Sequence, residues 1–328
     1  MKTYIHIGVD KCGSSSLQRF LSTNGLFLNN QNKYFEYRCF SKKGILSPEK
    51  IKLLSSKNKK GYESSMSFIK ILDFEETKLN GMIDKNKIQN VDKLDQIFSC
   101  EDWYRGLKKE KFISILSKFL VDNNEDKLIF IAFLKSPVLW INSAWWEWGA
   151  WQSNKNKYYF EDWLEKMIIN VNWYRHFKLF NLLNKNHQLI LKPIKKDIII
   201  DFSKILNLKE DLRLIERINT GLPIEILKFY LKYPKLSSIL KKTLFKKKNF
   251  VGNVPWILSQ SNIRTILYNT YESNKKLLNL MEEEDKNFLI NDRSWWDIDF
   301  YKNKITFDPY LEDFNPDKSL IKSFLEYK

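Results

Sequence analysis

The chain has 328 residues, 43% of them hydrophobic and 15% aromatic, which supports a substantial core and excludes an intrinsically disordered protein. No apolar run approaches the ~18 residues needed to span a bilayer, and the opening "MKTYIHIGV" lacks the three regions of a signal peptide. The formal net charge of +16 would draw a polyanionic partner by long-range attraction, and the lysine-rich composition of the whole chain would also produce it without any function. Cys12, Cys39 and Cys100 show no metal-ligand spacing and predict a reducing, cytoplasmic setting.

An apolar strand, "TYIHIGV" (3–9), opens the chain and leads through a small-residue loop into a helix, "SSLQRFLSTN" (15–24). A stretch rich in Lys, Ser and Asn (41–94) reads as an insertion. Further buried strands are expected at 95–100, 127–134 and 187–193, with helical periodicity in "KKEKFISILSKFLVDN" and in "FEDWLEKMIINVNWYRHFKLFNLL" between them. From 197 to 328 the pattern is helical and then aromatic and irregular. Strands alternating with helices predict an α/β protein with a mainly parallel central sheet and a helix-rich C-terminal half. With no repeat and no clear linker, residues 1–328 read as one domain.

The loop carries the first chemistry. Gly8 and Gly13 have the spacing of a phosphate-binding G-x-x-x-x-G, but Ser14 stands where a nucleotide kinase would place its lysine. The only lysine is Lys11, inside the loop. Backbone amides at a helix start still attract an anion, and Ser14, Ser15 and Ser16 add hydroxyls. Without the lysine after the second glycine, a metal-bound triphosphate is the less favoured ligand, and the resemblance described next implies a P-loop-like, three-layer fold.

"DKCGSSSLQRFL" resembles the 5′-phosphosulfate loop of the sulfotransferases that use 3′-phosphoadenosine 5′-phosphosulfate (PAPS), whose pattern is K-x-G-[ST]-[ST] opening a helix. By position Lys11, Cys12, Gly13, Ser14, Ser15 and Ser16 match it. "IFIAFLKSPVLWINSAWWEW" (129–148) is similar to the family's second signature, a strand ending in Arg-x-Pro with a serine eight residues after the arginine. Here Lys135, Pro137 and Ser143 hold those places, which implies that Lys135 and Ser143 bind the 3′-phosphate. Lysine for arginine keeps the charge and loses the bidentate fork. "LILKPIKKD" (189–197), "ERINTGLP" (216–223) and "YESNKKLL" (271–278) resemble segments of the bacterial and glycan-directed branch.

The resemblance implies sulfuryl transfer to an acceptor hydroxyl, with adenosine 3′,5′-bisphosphate as product, Lys11 stabilising the leaving 5′-phosphate and no metal required. The proton must pass to a base. Glu101 follows the strand 95–100, at the end of a parallel sheet where ligands gather, and resembles a Ser-x-Glu of related enzymes. Glu36 is the second choice. His6, His176 and His187 read as core or surface positions. Among the tryptophans of "WWEWGAWQ" (145–152), one or two would line a pocket, with Glu147 as a hydrogen-bonding partner of the acceptor. The expected acceptor is a carbohydrate, neutral or anionic, with no nucleic acid bound and no integral membrane segment. A nucleotide-dependent kinase and a basic nucleic-acid-binding protein are the alternatives.

Overall fold

The computed structural model of the chain describes residues 2–41, 44–57, 94–101, 127–149, 159–182, 187–195, 197–209 and 255–306. The expected strands are all present: β1 (Lys2–Ile7), β6 (Asp95–Cys100), β7 (Lys127–Leu134) and β8 (His187–Pro193). Short strands β2 (Leu26–Leu28) and β3 (Tyr34–Tyr37) join them, and the sheet order is β2-β3-β6-β1-β7-β8. Every neighbouring pair is parallel except β2 with β3. The fold is therefore α/β with a mainly parallel sheet. β6 is buried along its whole length, its polar Asp95, Gln96 and Ser99 included, and β7 from its second residue onward, which explains why β7 reads as an unbroken apolar run. β4 (Cys39–Ser41) and β5 (Gly44–Leu46) form a separate hairpin.

The chain divides into two compact units. The first comprises Met1–Ser136, Asn172–Ile218 and Tyr271–Asp292 and contains the whole sheet. One face of that sheet is covered by α1 (Ser14–Asn24) and α6 (Ile198–Leu206), which pack on each other. The Phe202 ring of α6 meets His6 edge-on at 6.3 Å. His6 pairs with Ile131 in register, so Phe130 points to the opposite face, where it meets Phe180 at 4.9 Å. Helical structure thus lies on both faces. The short helix α5 (Trp173–Phe177) starts at Asn172, whose side chain accepts from Arg175 N at 2.9 Å. This cap interrupts the helical periodicity of 160–183. On the far edge, Lys192 of β8 reaches the buried Asp285 of α8 (Glu283–Asn291) at 2.6 Å.

The second unit comprises Pro137–Val171, Asn219–Thr270 and Arg293–Lys328. In it α3 (Pro137–Ala144) runs on as a π-helix, Trp145–Gly149, and α4 (Tyr159–Ile168) follows. Pro137 begins α3, where its fixed φ and missing N–H fit. Asn142 donates to Pro255 O at 3.0 Å and accepts from Ile257 N at 2.9 Å, tying that return segment to the helix. α7 (Gln260–Leu278) has residues in both units. The aromatic stretch from 291 folds into two 3-10 turns that bury Trp295 and Tyr301.

Within the stretch 41–94 lie β5 and α2 (Pro48–Lys57), and α2 packs on α1. Residues 58–93, the expected helix at 108–123 and the segment 216–223 lie outside the described residues. Among the described residues no helix is long and apolar enough to cross a membrane.

A buried polar link holds α1 against the sheet. Gln18 Nε2 donates to Ser99 Oγ at 3.2 Å, and Ser99 Oγ lies 2.8 Å from His6 Nδ1. The link is satisfied when the Ser99 hydroxyl donates a hydrogen bond to the unprotonated Nδ1 of a neutral imidazole. Burial agrees with that state, pushing the His6 pKa down to about 3. An unfolded histidine titrates near its ordinary 6.5, so between those two values the unfolded chain binds the extra proton. Stability from His6 is full above pH 6.5 and falls on acidification, by about 1.4 kcal/mol per pH unit, until about pH 3. We predict that urea unfolding measured from pH 7 to pH 4 shows this slope, and that His6→Gln flattens it. An unchanged slope in the variant would place the acid sensitivity elsewhere.

Candidate functional site

Three adjacent strands, β6, β1 and β7, deliver the candidate residues to one edge of the sheet. Parallel pairing matches Ile7 with Cys100 and His6 with Ile131, so the residues following each strand emerge together at the C-terminal edge. From β1 the chain goes to β3 on one side, and from β6 it crosses to β7 on the other. Ligands in open α/β sheets collect at such a reversal.

The loop after β1 is built by close approach and by two left-handed residues. Gly8 N donates to Cys100 O at 2.9 Å, and a Cβ added to Gly8 would stand 2.7 Å from Glu101 Cα. Only glycine lets the two strand ends come this close. The chain then turns back, with Cys12 N donating to Val9 O at 3.2 Å. Lys11, inside that turn, has φ 62°, and Gly13, which caps α1, has φ 87°. The Gly13 position is tight as well, since a Cβ there would meet Ile198 Cγ2 at 3.0 Å. Ser14 is buried and donates its hydroxyl proton to Val9 O at 3.2 Å, closing the loop on itself. Ser15 and Ser16 are half-buried at the helix start, where the first N–H groups have no intrahelical acceptor.

Lys11 is the outlier. A non-glycine residue in the left-handed region costs about 1–2 kcal/mol, and such strain persists where the side chain has a task. Its ammonium is half-buried, and burial pushes its pKa below the ordinary lysine range. Glu101, Asp10 and Cys12 favour its charge, while Lys135 opposes it. Lys135 follows β7, and burial lowers its pKa too. Its carbonyl is fixed by Trp173 Nε1 at 3.0 Å, and its main-chain amide bonds the Cys12 thiol. Burial drives that thiol up to about 12, so Cys12 is a neutral packing group within the loop.

Of the expected residues, Lys11, Cys12, Gly13, Ser14, Ser15, Ser16, Glu101 and Lys135 all belong to this edge of the first unit. Glu36 does not. It pairs with Gln96, which is level with Thr3, four residues back along β1 from the edge at Ile7. Arg38 holds its carboxylate at 2.5 Å. His6 is enclosed in the link to α1, His176 is buried beside Trp173, and His187 opens β8 level with Leu128 at the far end of β7. Ser143 lies in the second unit, on α3, where its hydroxyl donates to Leu139 O at 2.9 Å. Sequence reasoning overlooked Asp10, a buried carboxylate next to Lys11, and Trp173, which holds the Lys135 backbone. The adjacency of Asp10 to Lys11 was visible in "VDKCG"; nothing in the sequence pointed to Trp173.

No family model, curated protein or solved structure matches the chain.

Strain and task at Lys11 separate in mutants. We predict that Lys11→Gly is more stable than Lys11→Ala by about 1 kcal/mol in urea unfolding, because glycine relaxes the left-handed turn and alanine does not. Both variants should lose anion affinity equally. Equal stability of the two would contradict the strained turn.

Proposed function

We propose that the chain is a PAPS-dependent sulfotransferase with a P-loop-like fold, acting on a carbohydrate hydroxyl. One observation carries the reading: Lys11 and Lys135 follow neighbouring strands, β1 and β7, and Lys135 lies close enough to oppose the charge of Lys11. Two half-buried ammonium groups repel each other, and an anion bearing separate phosphates at its 5′ and 3′ ends would relieve that repulsion. The resemblance of both loop and strand motifs to those of sulfotransferases supplies the identity of that anion. Water is partly excluded there, which strengthens attraction between an ammonium and a phosphate.

In this scheme the acceptor oxygen attacks sulfur in line as the bond from sulfur to the 5′-phosphate oxygen breaks. Lys11 stabilises the charge that develops on the departing phosphate. Glu101, whose charge favours that of Lys11, accepts the acceptor's hydroxyl proton. Glu101 is the stronger candidate for the base because Glu36 pairs with Arg38 away from the edge. The products are a sulfate ester and adenosine 3′,5′-bisphosphate. Buried thiols at Cys12, Cys39 and Cys100, none in a disulfide, fit a cytoplasmic setting.

Two experiments test the reading. Adenosine 3′,5′-bisphosphate should raise the melting temperature without added Mg²⁺, and much more than ATP with Mg²⁺ does. A stronger effect of Mg-ATP would favour a kinase. Lys135→Ala should weaken adenosine 3′,5′-bisphosphate by roughly 1.5–3 kcal/mol while leaving adenosine 5′-monophosphate nearly unchanged, and Lys135→Arg should keep the affinity. Equal losses for the two nucleotides would remove Lys135 from the 3′ site.

The base is tested by turnover. Glu101→Gln should reduce the rate by about 10²–10⁴ with donor affinity preserved, and should abolish the acidic limb of the pH–rate profile. Near-normal turnover in that variant, with Glu36→Gln inactive, would transfer the role to Glu36.

A further inference from the structure

One buried charge of the first unit has no part in the chemistry proposed above. Asp201 lies in the first turn of α6 and is 9% exposed. The helix is already capped by Asp197, whose carboxylate accepts from Ile199 N at 2.9 Å. One oxygen of the Asp201 carboxylate accepts from the main-chain N–H of Lys195. The other, Oδ2, is buried and finds no partner among the described residues. Burial pushes the Asp201 pKa above the ordinary carboxylate range, and Lys204, Lys195 and Lys192 pull it back only in part. A carboxyl group shifted this way holds its proton more tightly in the folded chain, so its contribution to stability falls as pH rises. At neutral pH the ionised Asp201 therefore lowers stability.

What the charge holds is the segment between β8 and α6, which touches the candidate site on two sides. Ile194 N donates to Leu134 O at 2.9 Å, directly before Lys135. Ile198 lies against Gly13, its Cγ2 3.0 Å from where a Cβ would stand. Between them Lys195 is anchored by its main chain to Asp201 and by its ammonium to Glu284 at 2.8 Å and Asp285 at 3.4 Å, both of α8. Lys192 of β8 joins Asp285 at 2.6 Å, and α1, which packs on α6, carries a single charged residue, Arg19. We propose that Asp201 is a positioning residue for the Lys11–Ser16 loop, and that taking up a proton loosens the loop and lowers its affinity for anions. The ionised carboxylate fixes Lys195, and α6 then holds Ile198 on Gly13, where α1 and its first amides begin. A hydrogen bond to an ionised carboxylate is about twice as strong as one to a neutral acceptor, so a protonated Asp201 keeps only the weaker hold. The effect on affinity rests on the sulfotransferase reading; the effect on the loop does not.

Hydrogen exchange followed by mass spectrometry on the ligand-free full chain tests this hold directly. In Asp201→Ala the peptide covering Gly8–Leu17 should exchange about tenfold faster, the effect of losing one charge-assisted bond, while the peptide covering β6 keeps its rate. Asp201→Asn keeps the shape and removes the charge. It should be at least as stable as the wild type in urea at pH 7, yet exchange faster in Gly8–Leu17 and bind adenosine 3′,5′-bisphosphate more weakly. Stability and affinity moving in opposite directions is a pattern that a merely structural residue does not give. On acidification from pH 7 to pH 5 the wild-type affinity should fall toward that of Asp201→Asn. Unchanged exchange in Gly8–Leu17 in either variant that folds, or exchange that rises equally in β6, would overturn the proposal. So would an affinity gap between the wild type and Asp201→Asn that acid does not narrow. If adenosine 3′,5′-bisphosphate binds no form of the chain, the donor reading is rejected, and the exchange comparison still decides the role of Asp201.

Discussion

The close approach of two strand ends, Gly8 of β1 against the Cys100–Glu101 backbone of β6, is the constraint from which the candidate site follows. A methyl group at Gly8 would push into Glu101 Cα and into Cys100 O, spreading the sheet where β1 and β6 must stay paired. Because the strands stay together, Glu101 lies beside the loop of Lys11. The reversal at Val9–Cys12 then brings the chain back to start α1, and Lys11 takes a left-handed backbone to make the turn. Mixed left-handed and right-handed residues of this kind form concavities in which amides converge on an anion. The lysine comes before the glycine because the turn, and not the helix, is what carries it.

Beneath that loop the fold resists movement. The Gln18–Ser99–His6 link joins α1 to β6 and β1 through buried groups, and each hydrogen bond of this sort contributes about 1 kcal/mol net. The larger effect is the asymmetry: losing one partner leaves the others buried and unsatisfied, which costs more than the bond contributed. Ile198, at the start of α6, presses on Gly13 from the other side. The backbone around the Lys11–Ser16 loop is therefore held by its own contacts, and preorganisation of this kind is what the proposed stabilisation of a leaving group would require.

The sequence was legible where one residue type has one physical reading. The central strands announced themselves as apolar segments because they are buried almost throughout. α1 was equally plain from Leu17, Phe20 and Leu21 at helical spacing and Gly25 at its end, where the structure has φ 75°. β2 and β3 escaped because three and four residues give no period to count. The split at Asn172 escaped because apolar spacing continues across it and only the cap marks the break. The places of Lys11, Lys135 and Glu101 after β1, β7 and β6 were readable from the strands that precede them. The level of Glu36 in the sheet was not, since it depends on the register of β3 against β6, a long-range pairing that leaves no local trace. The π-helical form of "WWEWG" was hidden for the same reason: it follows from what Trp145, Trp146 and Gly149 touch.

The central claim is that the edge formed by β6, β1 and β7 holds a nucleotide carrying separate 3′ and 5′ phosphates without a metal. A crystal structure of the chain grown with adenosine 3′,5′-bisphosphate in a chelating buffer addresses it most directly. The account predicts density with the 5′-phosphate in the Lys11–Ser16 loop, the 3′-phosphate within hydrogen-bond distance of Lys135 Nζ, and Glu101 open to the position of the transferred group. Density for the nucleotide anywhere else, or a loop and Lys135 that both ignore its phosphates, would contradict it.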